Sequence, residues 1–220
     1  MSVDEVLPAA RALARQGLVD AFGHVSARTA SGFAMTPPVP LGRLSGAEAM
    51  IDVEVAGEDL PAGAPKEAWI HRAIYARRPD VRAVCRATPS AVNQAGGAGV
   101  VLRALHGQGA FVGADVPVYD DAVLVRDARR GEAVATALGG GDAVVLRGNG
   151  AVTIAASPGI AVALMYVLEA SARMNLAAAS TGLARPLAEH ECAAWRAAAP
   201  EILARLWDYL RDQEQCAARE

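Results

Sequence analysis

Two apolar segments joined by a Gly-Asn-Gly turn constrain the fold more than any other feature of this chain. Residues 143–147 and 151–155 each have the length and composition of a buried strand, and the short turn between them predicts a hairpin. Residues 23–28 and 33–36, around a Ser31-Gly32 turn, predict a second hairpin. Because helical segments separate the two hairpins, the order of elements predicts a three-layer α/β/α domain with a central mixed β-sheet.

The rest of the chain fills in this α/β class. Apolar spacing and breaker residues predict helices over 3–16, 65–77, 89–95, 131–138, 158–181 and 195–215, and further strands over 49–55, 81–87 and 116–119. A length of 220 residues suits a single domain, 1–220, with one sizeable core. Residues 186–220 are expected to form a C-terminal helical region.

Charge and cysteine usage exclude several classes of partner. A net charge of −3 gives no electrostatic reason to expect binding to nucleic acid or to an anionic membrane. Cys85, Cys192 and Cys216 are too widely spaced for a zinc knuckle or a disulfide framework, which fits a reducing cytoplasm. Residues 1–5 lack the pattern of a signal peptide, and the apolar stretch 151–163 is too short to span a bilayer. We therefore expect a cytoplasmic protein.

Three segments in a fixed order resemble the class II aldolase/adducin family. They are residues 67–81, the strand-like stretch 83–90, and the turn 146–150. Within the family the chain is most similar to the decarboxylases that act on carboxylated muconic semialdehydes. The resemblance covers residues 4–182 and implies a class II aldolase-like fold, assembled as a homotetramer with the active site between subunits.

The family's metal-binding histidines are replaced in this chain. Relatives read Cys-His-Ala-His where residues 85–88 are Cys-Arg-Ala-Thr, and Arg-Gly-His-Gly where residues 147–150 are Arg-Gly-Asn-Gly. The resemblance thus places Arg86, Thr88 and Asn149 at the ligand positions. A guanidinium has no lone pair to give, and hydroxyl and amide oxygens are weak ligands. The sequence predicts a degenerate metal site, with no metal and no other cofactor.

Arg86 offers an alternative to the metal. Residues 86 and 88 of a strand project to the same face, so Arg86 and Thr88 are expected side by side. The guanidinium would stand in the place of the cation and grip a carboxylate or an enediolate with two parallel hydrogen bonds. The competing interpretation makes Arg86 a surface charge. The apolar strand argues against it, because a buried arginine needs a partner.

Glu67 and His106 are the predicted proton-transfer groups. Glu67 matches the acid/base glutamate of the family, although a carboxylate in the first turn of a helix is also favoured by the helix dipole alone. His106 matches a family histidine and is the best candidate for titration near neutral pH. A hydrogen-bonded loop histidine is an equally good interpretation of His106. With Arg86, these residues form the predicted catalytic set.

Further side chains are predicted to contact the substrate. His71 shares a helix face with Glu67, because the two residues are four apart. By resemblance, a tyrosine from a neighbouring subunit often completes the active site of a family member. The complete predicted substrate-binding set is Arg86, Thr88, Asn149, His24, Ser26, His71, Tyr119 and Tyr209. Both tyrosines could equally be packing residues. Cys85 should face the opposite side of its strand from Arg86 and belong to the core.

The expected activity is metal-independent lyase chemistry on a small-molecule carboxylate. Prolines at 37, 38 and 65 remove backbone donors that a phosphate would use, so a non-phosphorylated carboxylated carbonyl compound is the predicted substrate. Decarboxylation, retro-aldol cleavage, cyclisation and dehydration all fit this enolate chemistry. The alternative is a catalytically silent binding or scaffold protein, as in the adducin branch. A third interpretation builds an unusual metal site from His24, His106 and Glu67.

Overall fold

The computed structural model describes residues 3–46 and 48–217 and contains one mixed seven-stranded sheet. The strands are β1 (His24–Arg28), β2 (Gly32–Met35), β3 (Ile51–Glu54), β4 (Ala83–Ala87), β5 (Val118–Tyr119), β6 (Ala143–Leu146) and β7 (Ala151–Ala155). Their order across the sheet is β3-β2-β1-β4-β7-β6-β5, and the β5–β6 pair alone is parallel among these strands. Both predicted hairpins, β1–β2 and β6–β7, are confirmed.

Helices cover both faces of the sheet. They are α1 (Val6–Arg15), α2 (Ala68–Arg77), α3 (Ser90–Ala98), α4 (Ala128–Leu138), α5 (Pro158–Thr181) and α6 (Glu189–Ala217). Helices α2 and α4 pack on one face, where residues such as Ile70 and Val134 meet Val84 of β4. The other helices pack on the opposite face, around the central α5. The predicted three-layer α/β/α fold with a mixed sheet is therefore confirmed.

Two glycines that the sequence marks as helix ends instead permit close packing. The predicted helix 89–95 runs on through Gly96, where a β-carbon would lie 3.0 Å from Cγ1 of Val145, and it ends at Gly99 with a φ of +70°. Helix α4 begins before Gly131, since the Asp127 side chain caps it. A β-carbon on Gly131 would lie 2.4 Å from the carbonyl oxygen of Trp69, so this glycine lets α4 approach α2.

Two other helix starts differ from the prediction. Residues 65–67 form tight turns rather than the first turn of α2, because the N–H groups of Ala68 and Ile70 donate to carbonyls three residues earlier. Glu67 is thus the residue immediately before the helix. Helix α6 begins at Glu189, not Trp195, because its first turns are exposed and lack the amphipathic spacing that marks the later part.

Helix α5 is the central helix of the core. By length and composition it is the one described helix that could cross a membrane, and 61% of its apolar window is buried inside the protein. Its start at Pro158 matches the sequence prediction, and the Ser157 side chain caps it. Burial against the sheet accounts for its apolar character.

Candidate active site

The antiparallel pairing of β1 and β4 brings the first candidate residues together. His24 lies directly opposite Arg86, and Ser26 opposite Val84. Because side chains alternate along a strand, His24, Ser26 and Arg86 all project towards α2, whereas Cys85 belongs to the apolar cluster on the α5 face. Cys85 is therefore core, as predicted, and burial raises its thiol pKa to about 12.

Arg86 is the centre of a closed polar network. Its Nη2 lies 3.0 Å from Oε1 of Glu67 and donates to the Oδ1 and, at 3.2 Å, the carbonyl oxygen of Asn149. Nδ2 of Asn149 donates to the same Oε1 of Glu67 at 3.1 Å. Arg86 is only 1% exposed, and burial lowers its pKa while Glu67 opposes that shift. An arginine stays protonated despite such shifts, so the network holds a buried ion pair.

The guanidinium has one donor left for a ligand. Nη2 carries two hydrogens and already faces three acceptors, whereas Nη1 makes only a long bond of 3.4 Å to the carbonyl of Phe22. Nε is buried and has no hydrogen-bond partner among the described residues. Nη1 is therefore less engaged within the protein than Nη2, on a residue that lines the cleft, and it is the better candidate to bond to a ligand.

The position of Asn149 follows from the backbone of its turn. Gly148 and Gly150 have φ of +70° and +79°, a region that favours glycine. A β-carbon on Gly150 would lie 1.9 Å from the carbonyl oxygen of Ala87, so the turn rests directly against the end of β4. This contact carries Asn149 across to Arg86.

A cleft of about 490 Å³ opens beside this network. Its lining residues are Phe22, His24, Pro38, Pro65, Lys66, Glu67, Arg86, Thr88, Leu124, Val125, Arg126 and Asn149. Five predicted site residues therefore converge here: His24, Glu67, Arg86, Thr88 and Asn149. The cleft combines apolar walls with a few convergent polar groups, which is typical of small-molecule sites.

His71 and Ser26 lie behind the cleft rather than in its lining. Nδ1 of His71 is 2.7 Å from Oγ of Ser26, which is 2.9 Å from the hydroxyl of Tyr75. Burial is the main cause that lowers the pKa of His71 well below its ordinary value, and the nearby His24 and Arg86 add to it. His71 is thus a neutral, buried side chain that supports the floor of the site.

His24 is also neutral at pH 7. Burial, and then the charge of Arg86, lowers its pKa to about 3. Its Nε2 lies 3.9 Å from Oε2 of Glu67, a separation that would be an ion pair only if the ring were protonated. Because the ring is uncharged, His24 is a neutral neighbour of the Glu67 carboxylate. It cannot act as a protonated imidazolium acid at pH 7.

Three predicted site residues lie away from the cleft. Nε2 of His106 is 3.0 Å from Oγ of Ser171 on α5, on the opposite face of the sheet, and burial lowers its pKa. Tyr119 is buried and donates to Asp121 at 3.3 Å. Tyr209 is 55% exposed on α6, where its hydroxyl accepts a bond from Gln213. The predicted catalytic role of His106 gains no support within one protomer, and a tyrosine supplied by a neighbouring subunit stays a prediction.

Sequence reasoning missed much of the cleft wall. Lys66 is the only lysine of the chain and stands beside Glu67, a signal that could have identified it. Phe22, Leu124 and Arg126 come from loops with no local pattern, so only tertiary structure reveals them. Phe22 is 72% exposed, which gives the cleft an apolar rim.

The residues at the family's ligand positions do not fit a divalent metal. The buried guanidinium of Arg86 is a cationic donor, and the amide oxygen of Asn149 already accepts from it. Over residues 3–46 and 48–217, no three His, Cys, Asp or Glu side chains lie close enough together to hold a metal ion. The alternative metal site of His24, His106 and Glu67 is therefore wrong, because His106 packs against α5.

Sequence and structure comparisons identify the family. The profile of the class II aldolase and adducin N-terminal domain matches residues 4–176. The chain belongs to this family, as its motif order predicts.

The similar proteins include both decarboxylases and aldolases. The chain is 32% identical over 200 residues to a 3,4-dihydroxyphthalate decarboxylase of Rhodococcus jostii (strain RHA1), a match covering 80% of each. A decarboxylase of the same name from Arthrobacter keyseri is 32% identical over 192 residues, covering 79% of this chain and 77% of the relative. The crystal structure of L-fuculose-1-phosphate aldolase from Thermus thermophilus superposes with a TM-score of 0.74 at 30% identity, covering 84% of this chain and 98% of the aldolase. These relatives support a lyase-type enzyme and confirm the predicted kinship with decarboxylases.

Proposed function

We propose that the chain is a lyase-type enzyme that works without a divalent metal on a non-phosphorylated, carboxylated carbonyl compound. The observation that carries the proposal is the network of Arg86, Glu67 and Asn149, which borders the cleft. The resemblance assigns Arg86 and Asn149 to the family's metal-ligand positions. A fixed cation beside a carboxylate supplies two requirements of enolate chemistry, an electron sink and a proton acceptor.

The charges of the cleft favour an anionic substrate. Arg86, Lys66 and Arg126 contribute three cations to the lining, against one carboxylate from Glu67. Pro38 and Pro65 line the cleft, and proline has no backbone N–H to donate to a phosphate. Apolar walls, including Leu124 and Val125, suit a flat or aliphatic body, so a carboxylic acid is a better fit than a sugar phosphate.

The reaction exchanges carbon dioxide for a proton. Nη1 of Arg86 donates to the substrate oxygen that gains negative charge, and Asn149 keeps Glu67 in place by donating to Oε1. Glu67 takes a proton from the substrate's enol or phenol hydroxyl and delivers it to carbon. The bond to the carboxylate carbon then breaks, its electron pair returns to the carbonyl oxygen and carbon dioxide leaves. Thr88 is placed in the lining to orient the substrate.

A binding or scaffold role is the second candidate function, and one observation favours it. Arg86 and Glu67 satisfy each other without a ligand, and the arginine side chain is only 2% exposed. A closed ion pair of this kind is also what a purely structural site would contain.

Turnover measured after chelation separates the two candidates. The chelator-treated chain is incubated with 3,4-dihydroxyphthalate and with simple β-keto acids, and carbon dioxide release is followed for the native chain and for Glu67→Gln. We expect release by the native chain and its loss in the variant. Release that returns only when metal is added, or that survives in Glu67→Gln, contradicts the proposal. Arg86-dependent binding without any release establishes the binding role instead.

A further inference from the structure

One peptide group in the Gly-Asn-Gly turn is held from both sides. The carbonyl oxygen of Asn149 accepts from Nη2 of Arg86 at 3.2 Å, and the N–H of Gly150 donates to Oδ1 of Asn93 at 2.6 Å. These two groups belong to the same planar unit, so the direction of one fixes the direction of the other. Asn93 therefore acts on Arg86 through a single peptide.

The remaining backbone bonds of the turn leave that peptide unrestrained. The N–H of Asn149 donates to the carbonyl of Leu146, and the N–H of Leu146 donates to the carbonyl of Gly150. Neither bond involves the peptide group between Asn149 and Gly150. Gly148 and Gly150 both have positive φ, and glycine rotates between such states at little cost. Without the Asn93 acceptor, the peptide is free to turn its carbonyl away from Arg86.

Asn93 is itself placed by a buried carboxylate of α5, the helix against which α3 packs. It lies on α3, and the first N–H groups of that helix, from Ala91 and Val92, donate to Glu169 of α5 at 3.0–3.2 Å. A carboxylate at a helix N-terminus is stabilised both by these bonds and by the helix dipole. The helix that presents Asn93 is thus fixed to the central helix of the core.

We propose that Asn93 is a positioning residue of the active site. It holds the Asn149–Gly150 peptide so that the Asn149 carbonyl engages Nη2 of Arg86, which leaves Nη1 directed at the cleft. This inference rests on the proposed function for its ligand, a carboxylate, but its structural element is independent of any turnover. Asn93 is not among the residues that line the cleft.

The test compares Asn93→Ala with Gln94→Ala and Asn93→Asp. Gln94 is the next residue of α3, is exposed, and bonds to the Ser90 hydroxyl rather than to the turn, so it is a matched control. The aspartate variant keeps an acceptor oxygen for Gly150. We expect Asn93→Ala to weaken phthalate binding about tenfold, the scale of one lost hydrogen bond to a buried group. Gln94→Ala should bind as the native chain does, and Asn93→Asp should recover most of the loss.

Two further measurements distinguish positioning from general damage. In Asn93→Ala, hydrogen exchange of the Gly150 amide should accelerate, while exchange elsewhere in the sheet stays protected. In a double-mutant cycle, Asn93→Ala should cost little further phthalate affinity once Arg86→Ala is present, because the Asn149 carbonyl acts on the ligand only through the guanidinium. Should Asn93→Ala not fold, Asn93→Ser, whose hydroxyl is too short to reach Gly150, takes its place.

The outcomes separate this inference from the proposed function. If Gly150 exchange and phthalate affinity are unchanged in Asn93→Ala, or if the effects of Asn93→Ala and Arg86→Ala are fully additive, Asn93 is not a positioning residue. If exchange accelerates but neither Asn93→Ala nor Arg86→Ala alters phthalate affinity, the positioning of the turn stands and the proposed carboxylate contact fails.

Discussion

Buried polar clusters lie on both faces of the sheet, and they differ in how completely the protein satisfies them. The α5 cluster, formed by Glu169, Ser171 and Asn175, bonds mainly to backbone groups; Asn175, for example, accepts from the N–H and donates to the carbonyl of Arg103. In the α2 cluster, formed by His24, Glu67, His71 and Arg86, three buried nitrogens lack a partner among the described residues: Nδ1 of His24, Nε2 of His71 and Nε of Arg86.

This difference indicates which cluster serves the fold and which serves a ligand. An unsatisfied buried polar group costs about 1–3 kcal/mol, so a protein retains several together only where they have another use. The α5 cluster behaves as a structural clamp, whereas the α2 cluster borders the cleft. The predictions below change one cluster and use the other as the reference.

The largest expected effect is on turnover. Glu67→Gln should keep the fold and lose roughly 10²–10⁴-fold in rate, the usual scale for general acid/base catalysis. Asn175→Asp is the matched swap in the α5 cluster: it should lower the free energy of unfolding, because Nδ2 donates to two carbonyls, yet leave turnover of the folded protein intact. Carbon dioxide release and chemical unfolding measure the two effects. Equal rates in native chain and Glu67→Gln would remove the distinction between the clusters.

Ligand binding should depend on the α2 cluster alone. Arg86→Ala should weaken phthalate binding or transition-state stabilisation by about 2–5 kcal/mol, because a buried charged contact is lost. Ser171→Ala, which removes the hydroxyl next to His106, should leave phthalate affinity unchanged. Titration calorimetry measures both variants. Unchanged affinity in Arg86→Ala would make the guanidinium structural.

Acid should destabilise the protein through the α2 cluster. The folded-state pKa of His24 is about 3 and that of His71 is also well below 6.5, so the unfolded chain binds more protons as pH falls below 6.5. Their stabilisation is complete above pH 6.5 and is lost as the pH falls, for His24 down to about pH 3. Each proton that only the unfolded chain binds changes the free energy of unfolding by about 1.4 kcal/mol per pH unit. His24→Asn should flatten the decline of unfolding free energy more than His106→Asn, which is less buried. The reverse order would place the acid-sensitive group on the α5 side.

A built zinc site tests the geometry of the α2 side. Arg86→His, Thr88→His and Asn149→His together place three imidazoles where the turn meets β4, which leaves one coordination position open. Zinc should stabilise the triple variant by about 2.7 kcal/mol when its free concentration is about 100 times the Kd. The native chain should show no such shift in Tm. A folded triple variant that binds no more zinc than the native chain would show that these positions do not converge as ligands.

The sequence is enough to predict the three layers, the mixed sheet and half of the candidate site residues as lining the cleft. The family resemblance predicts that Arg86 and Asn149 lie together, and strand alternation places Arg86 on the face opposite Cys85, because alternation is a local property of a strand. Element ends are less predictable: Gly96 and Gly131 look like helix breakers, but each is a glycine because a neighbouring element passes too close for a side chain. That requirement is tertiary, and no local pattern reports it.

Distant contacts account for the remaining errors. His106 lies in the loop that follows α3 and turns to α5, and a match of residue type does not report which face of the sheet a loop reaches. The closed Arg86–Glu67 pair and the cationic rim of Lys66 and Arg126 also depend on segments far apart in the chain. Such pairings depend on packing rather than on composition.

The close approach at Gly131 has a consequence for the width of the cleft. The wall formed by Leu124, Val125 and Arg126 immediately precedes α4, and Lys66 and Glu67 immediately precede α2, so the width of the cleft follows the distance between the two helices. A methyl group at 131 would meet the carbonyl of Trp69 and push the helices apart near these ends. The absence of a side chain at 131 thus lets the starts of the two helices, and the cleft walls that precede them, lie close together.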